Sequence, residues 1–171
     1  MMYQLMYDEV NEKLIQINPS GESTIITEDF PSKPEVSPDK KKAIYISPLE
    51  WERSGSLYMY DMESGYIQEV ISPDKDGNIP KYAVWLNKKT IALIKGYGDG
   101  TVGIGGNVFI YDIEKQQLTQ ITHFSSRIQI TKLLVKGKLL ILRGIRYTDD
   151  NFSAFKEYEE EMLIDEVLID K

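Results

Sequence analysis

The sequence predicts an all-β protein, an array of about three to four four-stranded propeller-type blades with a short C-terminal helix. Two observations carry this. An apolar strand, a tight turn and a second strand recur, first loosely as Leu14–Asn18 with Ser23–Thr27, then as Leu57–Asp61 with Gly65–Ile71, and again as Val108–Asp112 with Gln117–Thr122. The copies lie roughly 40 to 50 residues apart, the spacing of propeller blades. Between them run short, nearly continuous apolar stretches, Ala43–Ile46, Ile91–Ile94 and Leu139–Leu142, the pattern of strands covered on both faces.

Each unit reads as strands a to d. The continuous apolar runs are the b strands, in mid-sheet. Strands a and b are joined by turns such as Ser37-Pro38-Asp39-Lys40, where proline presets the backbone, with Leu86–Lys89 and Val135–Lys138 as downstream equivalents. The c strands end in Asn18, Asp61 and Asp112, short polar side chains that accept backbone N–H groups two residues on and start the next turn. The d strands alternate polar and apolar, as in Leu118–Thr122, which suits an outer strand with one wet face. Three strands in the first unit (roughly 3–7, 13–18 and 23–28), four in each of the next two and about three in the last leave the ring incomplete. The array then closes with four blades, stays open with a capped flank, or completes itself through a second copy. At the C-terminus, apolar residues at 152, 155, 158 and 162 predict a helix over 151–162, and the β-branched run 162–170 predicts a strand.

The stretch Ser37-Pro38-Asp39-Lys40-Lys41-Lys42-Ala43-Ile44-Tyr45-Ile46-Ser47, followed by Ser56–Asp61, resembles the repeat of TolB-type, WD40-like β-propellers. That repeat runs serine-proline-aspartate-glycine, an apolar strand, a loop and an aromatic strand ending in aspartate. The likeness is clearest over residues 36–71 and extends through 82–123; Lys40 stands where the glycine is usual. It implies a protein-interaction or scaffold surface at least as often as an enzyme.

Length and composition bound the rest. With 171 residues, the chain suits a single domain, 1–171, with units near 1–30, 31–75, 80–123 and 126–171. It lacks cysteine, so disulfides and thiolate chemistry are excluded. A net charge of -7 opposes nucleic-acid or anionic-membrane partners, and no run of 18 apolar residues predicts membrane insertion. The chain reads as soluble: cytoplasmic if it is complete, secreted or at the cell surface if a leader has been removed. No cofactor and no metal is expected. Gly98–Gly103 spells a dinucleotide fingerprint but leads into a strand rather than a helix. Asp74–Asn78 has clustered oxygens yet reads as a turn, because it lacks the distal glutamate of a calcium loop. His123, the one histidine, reads as a packing or turn residue.

Function is expected where the units differ most, in the b-to-c connections near 47–56, 95–107 and 143–161. In a blade these emerge at the same end as the d-to-a connections. They carry Glu50, Trp51, Arg53, Tyr97, Asp99, Arg143, Arg146 and Tyr147, with Asp149 and Asp150 beside them, and Trp, Tyr and Arg are the types enriched at binding hot spots. Trp51 serves either as an anchor or as a staple of its own loop; the residues alone leave both open. The reading is a non-catalytic module for a protein partner, with a homodimer through the end blades as a further expectation. The alternatives are a small carboxylate-dependent hydrolase or lyase, or an acidic inhibitor or immunity-type protein.

Overall fold

A computed structural model describes residues 2–50, 53–98 and 103–169. Fourteen strands form four antiparallel sheets of three, four, four and three strands, the count expected from the sequence. The first sheet holds β1 (Gln4–Asp8), β2 (Lys13–Ile17) and β3 (Ser23–Thr27). The second holds β4 (Glu35–Val36), β5 (Lys42–Ser47), β6 (Ser56–Asp61) and β7 (Ile67–Ile71). The third holds β8 (Asn78–Asn87), β9 (Thr90–Tyr97), β10 (Asn107–Asp112) and β11 (Gln117–Gln120). In the fourth, β12 (Ile128–Lys136), β13 (Leu139–Tyr147) and β14 (Phe155–Leu163) precede α1 (Ile164–Ile169). Strands pair in chain order within each sheet, the β-meander of a propeller blade. No ladder joins the first and fourth sheets among the described residues.

The apolar runs are buried as their composition requires. Ile91 to Ile94 are all 0% exposed, because alternate side chains enter different cores. Ile91 and Leu93 join Ile44, Ile46 and Leu57 between the second and third sheets. Ala92 and Ile94 join Val108, Ile130, Leu140 and Leu142 between the third and fourth.

The c-to-d turns follow one rule. Oδ1 of Asn18 accepts from the N–H groups of Ser20 and Glu22, that of Asp61 from Glu63 and Ser64, and that of Asp112 from Glu114 and Lys115. In the a-to-b turn of the second sheet, Lys40 takes φ +61°, the left-handed conformation that glycine favours at that point of the related repeat. Lys41 and Lys42 pair with Glu63 and Asp61 in the adjoining turn.

The C-terminus reverses the sequence expectation. Residues 155–163 are not helical; they form β14, which pairs with β13 without a break from Leu139↔Leu163 to Tyr147↔Phe155. Tyr158 and Met162 reach the core, while Phe152 and Phe155 stack edge-on against Tyr147. The apparent helical spacing therefore joins two unrelated jobs. The run expected to be a strand is α1 instead, occupying the position a fourth strand would follow. Ile164, Val167 and Leu168 form its apolar stripe, and Asp165 and Glu166 favour the helix start through its dipole.

Candidate functional site at the loop end

The b-to-c and d-to-a connections meet at one end of the array, and among the depressions there two are lined by the b-to-c connections and the β8 region. The larger, of about 480 Å³, lies among the loop after β7, the β9–β10 connection and the loop before β12. Beside it Lys95, its side chain 11% exposed, sits 3.5 Å from Asp74 Oδ2 and 5.2 Å from the centre of the Phe109 ring. Asp74 also accepts from the N–H groups of Asn78 and Asp76, and these hydrogen bonds, Asn78's first, hold its carboxyl below the usual range. Its oxygens are thus committed to the turn and to Lys95. The charges are paired here, the lining amides of Asn78, Asn107, Gln120 and Gln129 all have partners within the protein, and Tyr97 stands half exposed beside them.

Two side chains that are inconspicuous in the sequence build the walls. Asn107 Oδ1 accepts from Thr122 Oγ1 and the Phe124 N–H, while its Nδ2 donates to the Phe124 carbonyl 3.1 Å away. Gln129, 4% exposed, accepts from the Gly105 N–H and donates to the Ser126 carbonyl. Beside them the third and fourth sheets touch main chain to main chain: Gly106 and Ile130 exchange two hydrogen bonds of 3.0 Å. Glycine is required at 106, because a Cβ there would collide with the Lys95 carbonyl.

The smaller depression, of about 320 Å³, lies between the β5–β6 loop and β8. Arg53 lines it but is spent: its guanidinium reaches both Asp29 carboxylate oxygens at 2.6 and 3.2 Å and Glu50 at 3.3 Å. Lys81 also lines it. That residue is the extra one in a β-bulge between Pro80 and Tyr82, and its ammonium donates to the Gly103 carbonyl and, at 3.1 Å, to that of Gly105. Burial pushes its amine down to about 8.

The residues expected to bind separate into groups. Glu50 and Arg53 line the smaller depression, and Tyr97, 52% exposed, lines the larger. Arg143, Arg146 and Tyr147 line neither. Arg143 pairs with Glu159 at 2.8 Å across β13–β14, Arg146 is exposed, and Tyr147 is 6% exposed beneath Phe152 and Phe155, so that it staples its own loop. Asp149 folds the same loop by accepting from Ser153 and Ala154, while Asp150 pairs with Arg127. Trp51 and Asp99 lie outside the described residues, as does part of the Gly98–Gly103 motif. His123 is exposed, in contrast to the packing role that was one of its two readings. Lys81, Lys95, Asn107 and Gln129 were missed. The one available signal was a lysine placed inside an otherwise apolar strand.

A family profile described as a domain of unknown function (DUF4652) matches residues 50–166, and the chain belongs to that family. The match begins after the first sheet and half of the second. Among curated proteins none matches. Of solved structures, a conserved Clostridium novyi protein designated a lipoprotein is 22% identical with a TM-score of 0.71, over 78% of this chain and 87% of that one. TolB from Acinetobacter baumannii is 16% identical with a TM-score of 0.53, over 92% of this chain and 38% of its own. The β-propeller domain of the trilobed protease from Pyrococcus furiosus, which has an open velcro topology, is 14% identical with a TM-score of 0.50, over 88% and 48%. This chain thus spans less than half of the latter two. These likenesses show a TolB-like propeller fold. Among the described residues no helix is long and apolar enough to cross a membrane.

Proposed function

We propose that this member of the DUF4652 family is a non-catalytic binding module whose loop end meets a protein partner. The observation that carries the reading is the placement of both depressions at the end where the variable connections meet, walled by buried side-chain clamps and main-chain contacts. Rigid walls lower the ordering cost of association, so a partner meets a preformed surface. The carboxylates around it support this over acid–base catalysis: Asp74 and Asp149 are committed to turns, and Glu50 and Asp29 to Arg53. The lipoprotein designation of the Clostridium novyi neighbour supports a cell-surface location, which protease accessibility on intact cells tests.

The test compares partner capture by wild type, by a loop-end double variant (Tyr97→Ala with Arg146→Ala) and by a variant of the opposite end (Lys88→Ala). Loss confined to the loop-end variant, with unchanged melting temperatures, is the expected result. Equal capture by all three removes the loop end from the interaction.

A further inference from the structure

We propose that the free edge of β1 is a strand-addition site that takes an extended, aliphatic peptide segment of a partner protein as an inner strand of the first sheet. This surface is separate from the loop end and goes beyond the reading above. Asn18 makes the same turn after β2 that Asp61 and Asp112 make after β6 and β10, so β2 is the c strand of its unit and β1 the b strand. The place beside β1 is therefore the one that β4 and β8 fill in the next two sheets.

A sheet edge is a template for another chain, and proteins blunt it with short strands, bulges, prolines or charges. Among the described residues each of the four sheets has two edge strands, and seven of these eight carry such a device. β4 has two residues and β11 four; bulges interrupt β3 at Ile26, β7 at Val70, β8 at Lys81 and β12 at Thr131; Lys156 and four glutamates line β14. β1 is the exception. Its five residues pair with β2 in unbroken register and include neither proline nor lysine. Its one charge is turned into its own hairpin, where the Asp8 carboxylate accepts from the Asn11 N–H and side-chain amide.

A groove of about 700 Å³ runs beside this edge. Leu5, Met6 and Tyr7 all line it although successive side chains leave opposite faces of a strand, so the groove follows the edge itself. Pro34, Val36 and Met62 form the far wall. Leu5 and Tyr7 share the face of Gln16 and Leu14, the face that meets the second sheet through Tyr60. Every second side chain of an added strand would thus meet apolar surface, while Glu9 and Lys33 contribute one charge of each sign. Main-chain hydrogen bonds supply the affinity in such an addition, and the alternate side chains supply selectivity. A second copy fits this edge poorly. Two-fold pairing of β1 with itself is antiparallel and keeps equivalent faces together, so the second to fourth sheets of both copies would crowd one side of the joined sheet. A single extended segment brings no such bulk.

The experiment titrates the full chain with acetyl-Thr-Val-Ser-Val-Thr-Lys amide, and with the same sequence carrying esters in place of its central amides. Amide hydrogen exchange and NMR follow β1. The expected result is protection gained at residues 4–8 and none in β12–β14, with at least tenfold weaker binding of the ester form. Val36→Arg, which narrows the groove, should bind at least tenfold more weakly, whereas Val135→Arg, at a similarly exposed apolar position of the fourth sheet, should bind as wild type. No protection gained at β1 up to about 1 mM peptide, equal binding of amide and ester, or an equal response of the two arginine variants overturns the proposal. Protection at β1 that rises with protein concentration alone, together with a doubled mass by light scattering, assigns the edge to a second copy and overturns it as well. Should Val36→Arg fail to fold, the amide–ester comparison on wild type still decides.

Discussion

Between the first and second sheets the buried contacts combine Leu14 and Ala43 with tyrosines and one tyrosine hydroxyl; between the third and fourth they are branched aliphatic side chains and a main-chain bridge. Tyr45 and Tyr58 stack at 5.3 Å on the face of the second sheet turned away from Ile44 and Ile46, and Tyr60, 0% exposed, donates its hydroxyl to Gln16 Oε1 of β2 at 2.7 Å. In the other seam Ile94, Val108, Ile110, Ile130, Leu133, Leu140 and Leu142 are all 0% exposed. Aliphatic packing is non-directional and scales with area; a tyrosine contact depends on one hydroxyl finding one acceptor. Neighbouring units of a repeat array contribute roughly as a sum of unit and interface terms, so unequal seams mean unequal local stability. The first sheet is therefore the part of the array most dependent on individual polar contacts.

The sharpest way to break this contrast is inside the aliphatic seam. Leu142→Ala is expected to cost about 2–5 kcal/mol, since a fully buried side chain leaves a cavity that the surrounding strands cannot close. Denaturant unfolding reads it as a lower midpoint with an unchanged slope. Protection loss confined to the first sheet in that variant would contradict the account.

Next in size is Tyr60→Phe, expected to cost about 1 kcal/mol at pH 7 through the unpaired Gln16 acceptor. Hydrogen exchange should then rise in β1–β3 and leave β12–β14 unchanged. The same variant has a pH signature of opposite sign. Burial raises the Tyr60 phenol from 10.0 to about 12, so the folded chain holds its proton where the unfolded chain loses it. That contribution is complete below pH 10 and is lost as pH climbs from 10 to 12. Tyr60→Phe lacks this loss and should resist alkali better than its stability at pH 7 suggests, read by near-ultraviolet circular dichroism.

The smallest effect belongs to the exposed ion pair on the outer face of the fourth sheet. Arg143→Gln should shift stability by less than about 0.5 kcal/mol and less still in salt, because both partners are more than half exposed. A larger cost would mean that this face is covered in solution.

The blade count and the b strands were legible because they rest on patterns that local chemistry enforces: continuous apolar runs for strands buried on two faces, and Asn18, Asp61 and Asp112 at their turns. The C-terminal swap was not legible. Phe152 and Phe155 sit at helical spacing yet serve Tyr147, a contact made only once β13 and β14 have paired. In the candidate site, Tyr97, Glu50 and Arg53 were found through loop position and residue type. Lys81 acquires its place from a bulge, and Gln129 from a partner 24 residues away, information that no local pattern contains.

The backbone bridge at Gly106 and Ile130 ties the third and fourth sheets together through peptide groups, next to the side chains that wall the larger depression. A substitution at Tyr97, Ser125 or Gln120 therefore changes the lining of the depression without touching this bridge. The joint between the sheets and the lining of the depression are thus carried by different chemical groups.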